Sequence, residues 1–145
     1  MILLDSPALR LYALASSALV LILFWLAFRT GSVRMRGATV VNPEDVRVYR
    51  GAAVGATEHP DVQRIKRAHL NAIENMVPFF VVGLLFALTN PPVWAAAALF
   101  GAFVALRVLH VVFYLSARQP GRAATFGLGV AILLLMLAAV VRSVI

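Results

Sequence analysis

Ala123 to Val141 is a run of 19 residues without a charge, and Ala8 to Phe28 is a run of 21 whose single charge is Arg10. A third run, Val93 to Leu115, is broken only by Arg107 and His110. Roughly 20 apolar residues are enough for a helix to cross the ~30 Å hydrocarbon core of a bilayer. In that solvent every backbone N–H and C=O must be satisfied within the segment, which leaves the helix as the available form for such runs. Composition points the same way. The chain is 62% hydrophobic and 13% charged, against about half and about a quarter in a soluble domain, so it has too little polar surface to cover a water-soluble globule. The first run exceeds the roughly 7–15 residues of a signal-peptide core, Asp5 precedes it and no small-x-small cleavage site follows, so it reads as a retained span.

The remaining span is less direct. Met76 to Leu88 holds only 13 apolar residues, about 20 Å of helix, so a crossing helix has to begin in the polar stretch Asp61 to Asn75 and carry Asn71, Glu74 and Asn75 to membrane depth. Asn90-Pro91-Pro92 ends it. The expected fold is an all-α membrane protein, a single domain over 1–145 with spans at about 8–28, 63–89, 93–115 and 123–141 and a loop at about 29–62. Arg29 to Arg67 contains eight of the 13 cations: Arg29, Arg34, Arg36, Arg47, Arg50, Arg64, Lys66 and Arg67. Arg118 and Arg122 add two more between spans three and four, whereas the turn between spans two and three has none. The positive-inside rule then places both basic loops in the cytoplasm. That accounts for the net charge of +7 without nucleic acid as a partner. Zero cysteines remove a disulfide scaffold, a thiolate zinc site and a cysteine nucleophile, and no metal is expected. Within the first loop, Asn42-Pro43-Glu44-Asp45 reads as a helix start, with an Asn cap, Pro in the first turn and two acids favourable to the dipole.

Helical spacing puts Arg64, Arg67, Asn71, Glu74 and Pro78 on one face of span two, and Arg107, His110, Tyr114 and Arg118 on one face of span three. Two polar stripes thus enter the membrane. Arg107 facing lipid would cost from ~3 to over 10 kcal/mol, so it must face the bundle interior or water. Two roles stay open for it: a structural pair with Glu74, or direct contact with a ligand. Tyr114 could be an interfacial aromatic, Arg118 and Arg122 could serve only orientation, and Pro78 could only kink its helix. Several arginines with one acid near the ends of neighbouring spans suit a small anionic ligand carrying carboxylates and an ammonium, since guanidinium forks bind carboxylates bidentately.

Read together, Arg64-Ile-Lys-Arg-Ala-His-Leu-Asn-Ala-Ile-Glu-Asn-Met-Val-Pro-Phe79 resembles the second-helix signature of the membrane-associated proteins in eicosanoid and glutathione metabolism, the MAPEG superfamily. Asn42-Pro43-Glu44-Asp45 is similar to that family's first-loop motif, Arg107-x-x-His110-x-x-x-Tyr114 to its third-helix motif, and Gln119-Pro120-x-Arg122-Ala123 to the start of its fourth helix. The microsomal glutathione transferase type is the nearer subgroup by these motifs, the prostaglandin E synthase type the next. The resemblance implies a homotrimer of four-helix protomers with glutathione between adjacent protomers near the cytoplasmic face. It would place the glutathione carboxylates on Arg34, Arg67 and the Arg107 region, the ammonium and backbone polar groups on Glu74 and Asn71, and His110 and Tyr114 along the same cleft. Arg122 would stand beside the sulfur, with Asp45 as a second catalytic position. A thiol with a pKa near 8.5 is mostly protonated at neutral pH, and an adjacent cation lowers that value. The thiolate would attack a lipophilic electrophile arriving from the bilayer or reduce a lipid hydroperoxide.

The chain departs from the prostaglandin synthase type at Ala123 and Phe126, where that type carries Ser and Tyr. This counts against an isomerisation that depends on the Ser hydroxyl and fits the transferase subgroup. The latter usually has an acid where this chain has Ala72. The alternatives are a prostaglandin E synthase-like isomerase, a family member that assembles without catalysis, and a non-catalytic four-span transporter or regulator. A small cation exporter would place its essential acid in the first span, where this chain has Arg10 and no acid. One Lys against twelve Arg, with many Ala and Val, points to a high-GC bacterial genome and the inner membrane, with the endoplasmic reticulum as the alternative; membrane lipids are partners in either. Apolar spans encode the second substrate only weakly.

Overall fold

A computed structural model describes residues 6–36, 39–49 and 51–145; Asp5 and Arg50, used above, lie outside the described residues. Four long helices carry the chain: α1 (Pro7–Arg34), α2 (Pro60–Leu88), α3 (Val93–Leu115) and α4 (Gln119–Val144). All four are long and apolar enough to cross a membrane. At 1.5 Å per residue the 28 residues of α1 reach about 42 Å, longer than the hydrocarbon core. Arg29 and Arg34 lie on this helix rather than in the following loop. The α1–α2 connection contains a short 3-10 helix, Pro43–Arg47, with Pro in its first turn and Glu44 and Asp45 beside it. The Asn42 side chain makes no cap bond there; the turn closes instead through the Asp45 N–H donating to the Asn42 carbonyl at 3.1 Å.

Helix α2 opens on Pro60, and the His59 ring accepts a bond from the Asp61 N–H. The helix runs through the polar stretch and continues past Pro78. Pro78 brings no N–H to the Glu74 carbonyl four residues earlier. The helix ends where Asn90 turns into the left-handed region at φ 54°, a conformation Asn tolerates at helix ends. Helices α2 and α3 form the centre; α1 packs on one side of that pair and α4 on the other. The apolar core sits toward the Asn90 turn. There Phe79 stacks on Phe103 with ring centroids 4.6 Å apart and meets Phe100 edge-on at 5.7 Å. Tyr12 of α1 stacks at 6.0 Å on Phe79 and donates its hydroxyl to the Phe80 carbonyl at 2.9 Å. Many large apolar side chains are exposed, including Phe24, Phe28, Trp94, Leu128 and Leu135, as expected for helices whose outer surface is solvated by lipid.

Candidate active site

The basic end of the bundle is built by close approaches between α3 and α4. The connection is only Ser116-Ala117-Arg118, with the Arg118 N–H donating back to the Phe113 carbonyl at 2.9 Å. Gly121 then lies against the Phe113 ring, where a Cβ would stand 2.7–2.8 Å from three ring carbons. One helical turn further, Thr125 is held twice by α3. Arg107 donates from Nη2 to its carbonyl at 2.7 Å, and His110 Nδ1 lies 3.1 Å from its Oγ1. The Thr125 hydroxyl has one proton, directed to the Gly121 carbonyl at 2.8 Å with a weaker share to that of Arg122 at 3.1 Å. Its oxygen therefore accepts from His110 Nδ1–H, and Nε2 keeps its lone pair. That nitrogen is buried without a partner.

Around this seam a cleft of about 230 Å³ is lined by Asn71, His110, Tyr114, Arg122, Ala123 and Phe126. The Arg122 guanidinium lies 4.6 Å above the Tyr114 ring, a cation–π contact that carries its charge to the cleft. The Tyr114 ring stands 6.0 Å from His110. Asn71 Oδ1 is, like His110 Nε2, buried and unpaired. Buried polar atoms are normally satisfied; two such orphans on one cleft mark a place for a polar ligand or ordered water.

Four of the residues singled out from sequence thus meet: Asn71, His110, Tyr114 and Arg122. The others go elsewhere. Glu74 is exposed and lines an adjoining lateral cavity with Asn75, Pro78 and Phe126, so the two cavities share one wall. Arg67 is exposed and donates from Nη1 to the side-chain Oε1 of Gln63, one turn earlier on its own helix, at 3.4 Å. Arg34 pairs with Glu58, lies 4.0 Å from Asp45 and stands 5.6 Å over the Tyr49 ring; Lys66 joins Glu58 at 2.9 Å. Asp45 and Arg34 therefore belong to a charged knot where the end of α1, the loop and the start of α2 meet, and do not line the cleft. Burial would push the Glu58 carboxyl up, but hydrogen bonds from Lys66 and Arg34, with their charge, outweigh it and hold the group below its ordinary value.

Arg107 does not pair with Glu74, the structural partner considered above. It is only 1% exposed, bound to Thr125, and 5.2 Å over the Phe103 ring. A Cβ at Gly129 would collide with its guanidinium. The intramembrane arginine has space because α4 carries no side chain there, and its partner is a backbone carbonyl. Thr125, Gly129 and Glu58 were not anticipated; the first two belong to a run of small residues on α4 that has no polar stripe of its own.

Among the described residues no group of His, Cys, Asp and Glu could hold a metal. A sequence profile of the MAPEG family matches residues 12–142. Prostaglandin E synthase of Homo sapiens is 37% identical over 125 residues, covering 86% of this chain and 82% of its own. Microsomal glutathione S-transferase 1 of Rattus norvegicus is 31% identical over 145 residues, covering 97% and 94%, and that of Sus scrofa is 34% identical over 131 residues, covering 86% and 84%. With the profile spanning nearly the whole chain and both kinds of relative aligned over more than four-fifths of it, this four-helix, multi-pass membrane protein belongs to the MAPEG family.

Proposed function

We propose that the protein is a glutathione-dependent transferase that activates the glutathione thiol for attack on lipophilic electrophiles. The observation that carries this reading is the cleft in which Arg122, seated on Tyr114, faces Asn71 and His110. Its polar wall suits a peptide, and its Ala123 and Phe126 side adjoins the apolar cavity toward lipid. A thiol bound beside Arg122 gives its proton to water, because the guanidinium stabilises the thiolate. The sulfur electron pair then forms the bond to an electrophilic carbon while the leaving group departs with its own pair. With a lipid hydroperoxide the thiolate attacks the distal oxygen. The O–O bond breaks, the alcohol leaves after protonation, and a second glutathione converts the sulfenic product to disulfide and water. An isomerase using hydroxyls beside Arg122 is disfavoured by Ala123 and Phe126, which line the cleft.

Asn71 and Glu74 would receive the peptide's backbone and ammonium groups, and Arg34 and Arg67 its carboxylates. Within one protomer Arg34 and Asp45 sit in the loop knot; in the homotrimer of this reading a neighbouring copy would supply the carboxylate end. Arg107 acts as a positioning residue through Thr125. The basic ends of the helices face the cytoplasm, and a bacterial inner membrane is the proposed location.

Replacing Arg122→Ala should abolish the ultraviolet thiolate absorbance on glutathione binding while helicity is retained, and should lower kcat by about 10²–10³, the cost of losing one preorganised charge contact. Unchanged thiolate absorbance in that variant would remove Arg122 from the mechanism. Turnover of the wild-type protein against a panel of lipophilic electrophiles and hydroperoxides identifies the second substrate.

A further inference from the structure

A second cavity, of about 360 Å³, lies at the basic ends of α1 and α2 and is lined by Arg29, Arg36, His59, Asp61, Arg64 and Leu115 among others. It shares no residue with the thiol cleft. Arg29 stands in the last turns of α1, Arg36 lies just past the end of that helix, and Arg64 comes from α2. Among the described residues none of these three guanidiniums meets an acid within ion-pair distance. Asp61 is the cavity's one acid, 3.8 Å from His59. Three arginines against one carboxylate leave two positive charges in excess.

Next to it, between α1 and α3, runs a groove of about 430 Å³ formed by Leu21, Ile22 and Trp25 of α1 and Val108, Val111, Val112 and Leu115 of α3. It contains no charged or hydroxyl-bearing side chain. Leu115 lines both spaces, so the basic cavity opens onto the groove. Along α1 and just past its end the lining residues pass from Leu21 and Ile22 through Trp25 to Arg29 and Arg36. That is the order of hydrocarbon, interfacial aromatic and headgroup level in a bilayer.

We propose that this basic cavity and the α1–α3 groove that continues from it bind an anionic diacyl phospholipid, with its phosphate held by Arg29, Arg36 and Arg64 and one acyl chain lying in the groove past Trp25. Guanidinium forks bind phosphate oxygens bidentately, and basic pockets between membrane helices are known to select anionic headgroups. A zwitterionic lipid offers the same phosphate but brings its own ammonium into a cavity that already carries two positive charges in excess. Free phosphate satisfies the arginines and leaves the groove unused. The site is independent of the proposed chemistry, since none of its residues has been placed in the thiol cleft.

The chain has two tryptophans, Trp25 and Trp94, so Trp94→Phe leaves Trp25 as the sole reporter. The full-length protein is reconstituted in phosphatidylcholine vesicles with a small mole fraction of chain-brominated phosphatidylglycerol or, in parallel, chain-brominated phosphatidylcholine, and quenching of Trp25 is read. Brominated phosphatidylglycerol is expected to quench several-fold more strongly at equal mole fraction. Each single Arg→Gln change at 29, 36 or 64 should weaken that preference by up to about fivefold, and the triple variant, with unchanged helicity, should bring the two lipids to parity. Equal quenching in the Trp94→Phe protein, or a preference that survives the triple variant, overturns the proposal. Relief of quenching by inorganic phosphate as effectively as by unbrominated phosphatidylglycerol overturns the lipid as the occupant. Thiolate formation on glutathione is measured on the same samples; its loss or retention bears on Arg122 and not on this site.

Discussion

The two ends of the bundle bury their interiors by different chemistry. Toward the Asn90 turn, Tyr12, Phe79, Phe100 and Phe103 fill the space between three helices with stacked and edge-on rings. The one polar atom this group brings inside, the Tyr12 hydroxyl, is satisfied by a backbone carbonyl. Toward the basic end the interior holds Arg107, His110, Thr125 and Asn75, and several polar atoms, including Arg107 Nε and Nη1, remain without partners. One end is built for packing, which holds helices together in lipid where no hydrophobic force does so. The other tolerates unsatisfied polarity, which costs stability and leaves donors and acceptors available to a ligand. Folding strength and reactivity are separated along the helix axes.

Substitutions at the two ends should therefore fail in different ways. The largest loss is expected at the joint between them. Gly129→Val places side-chain atoms where the Arg107 guanidinium lies, displacing a buried cation from its carbonyl at a cost of about 3–5 kcal/mol. Chemical unfolding in detergent micelles should show it, and a variant of wild-type stability would mean that Arg107 is not fixed by α4. Phe79→Ala should cost ~2–4 kcal/mol through lost contacts and a cavity, while the protein that remains folded keeps its KM for glutathione; a raised KM would show that the aromatic end also shapes the cleft.

Thr125→Val is the inverse case. It removes the acceptor of the His110 proton and costs about 1–2 kcal/mol, yet it should lower kcat more than the melting temperature implies. Nitrogen NMR of the imidazole should report loss of the single tautomer, with Thr125→Ser restoring it. The smallest effect belongs to the loop knot. The folded Glu58 carboxyl titrates below its ordinary value, so its contribution is complete above that ordinary value and fades as pH falls through the lowered one. For a partly solvated pair this amounts to about 0.5 kcal/mol. Glu58→Gln should flatten the acid limb of the melting temperature against pH; an identical acid limb would separate the knot from stability.

Much of this was legible beforehand, for reasons that lie in the solvent. Charge-free runs such as Ala123–Val141 leave a chain few options in a bilayer, and helical periodicity placed His110 and Tyr114 on one face of α3, where both reach the cleft. The same periodicity put Arg64 and Arg67 on one face of α2 without saying what that face meets. A face is a direction on one helix, and what it meets depends on its neighbours: Arg64 faces α1 across the basic cavity, while Arg67 stays exposed. Arg107 reads from the sequence as an interior residue with Glu74 or a ligand as its partner, whereas the structure pairs it with the Thr125 carbonyl. A backbone carbonyl has no sequence signature, and the vacancy at Gly129 that admits the guanidinium is visible only once α4 is laid against α3.

What the sequence by itself determined was the number of spans, the basic end and the residues able to do chemistry, because transfer of apolar and charged groups between water and lipid is a property of each segment taken alone. Only the tertiary structure decided which of those residues share a cleft, which are spent on one another, and that a basic cavity at the ends of α1 and α2 adjoins an apolar groove between α1 and α3. Those outcomes depend on distances between helices, set by small residues such as Gly121 and Gly129 whose effect is to let something else come close.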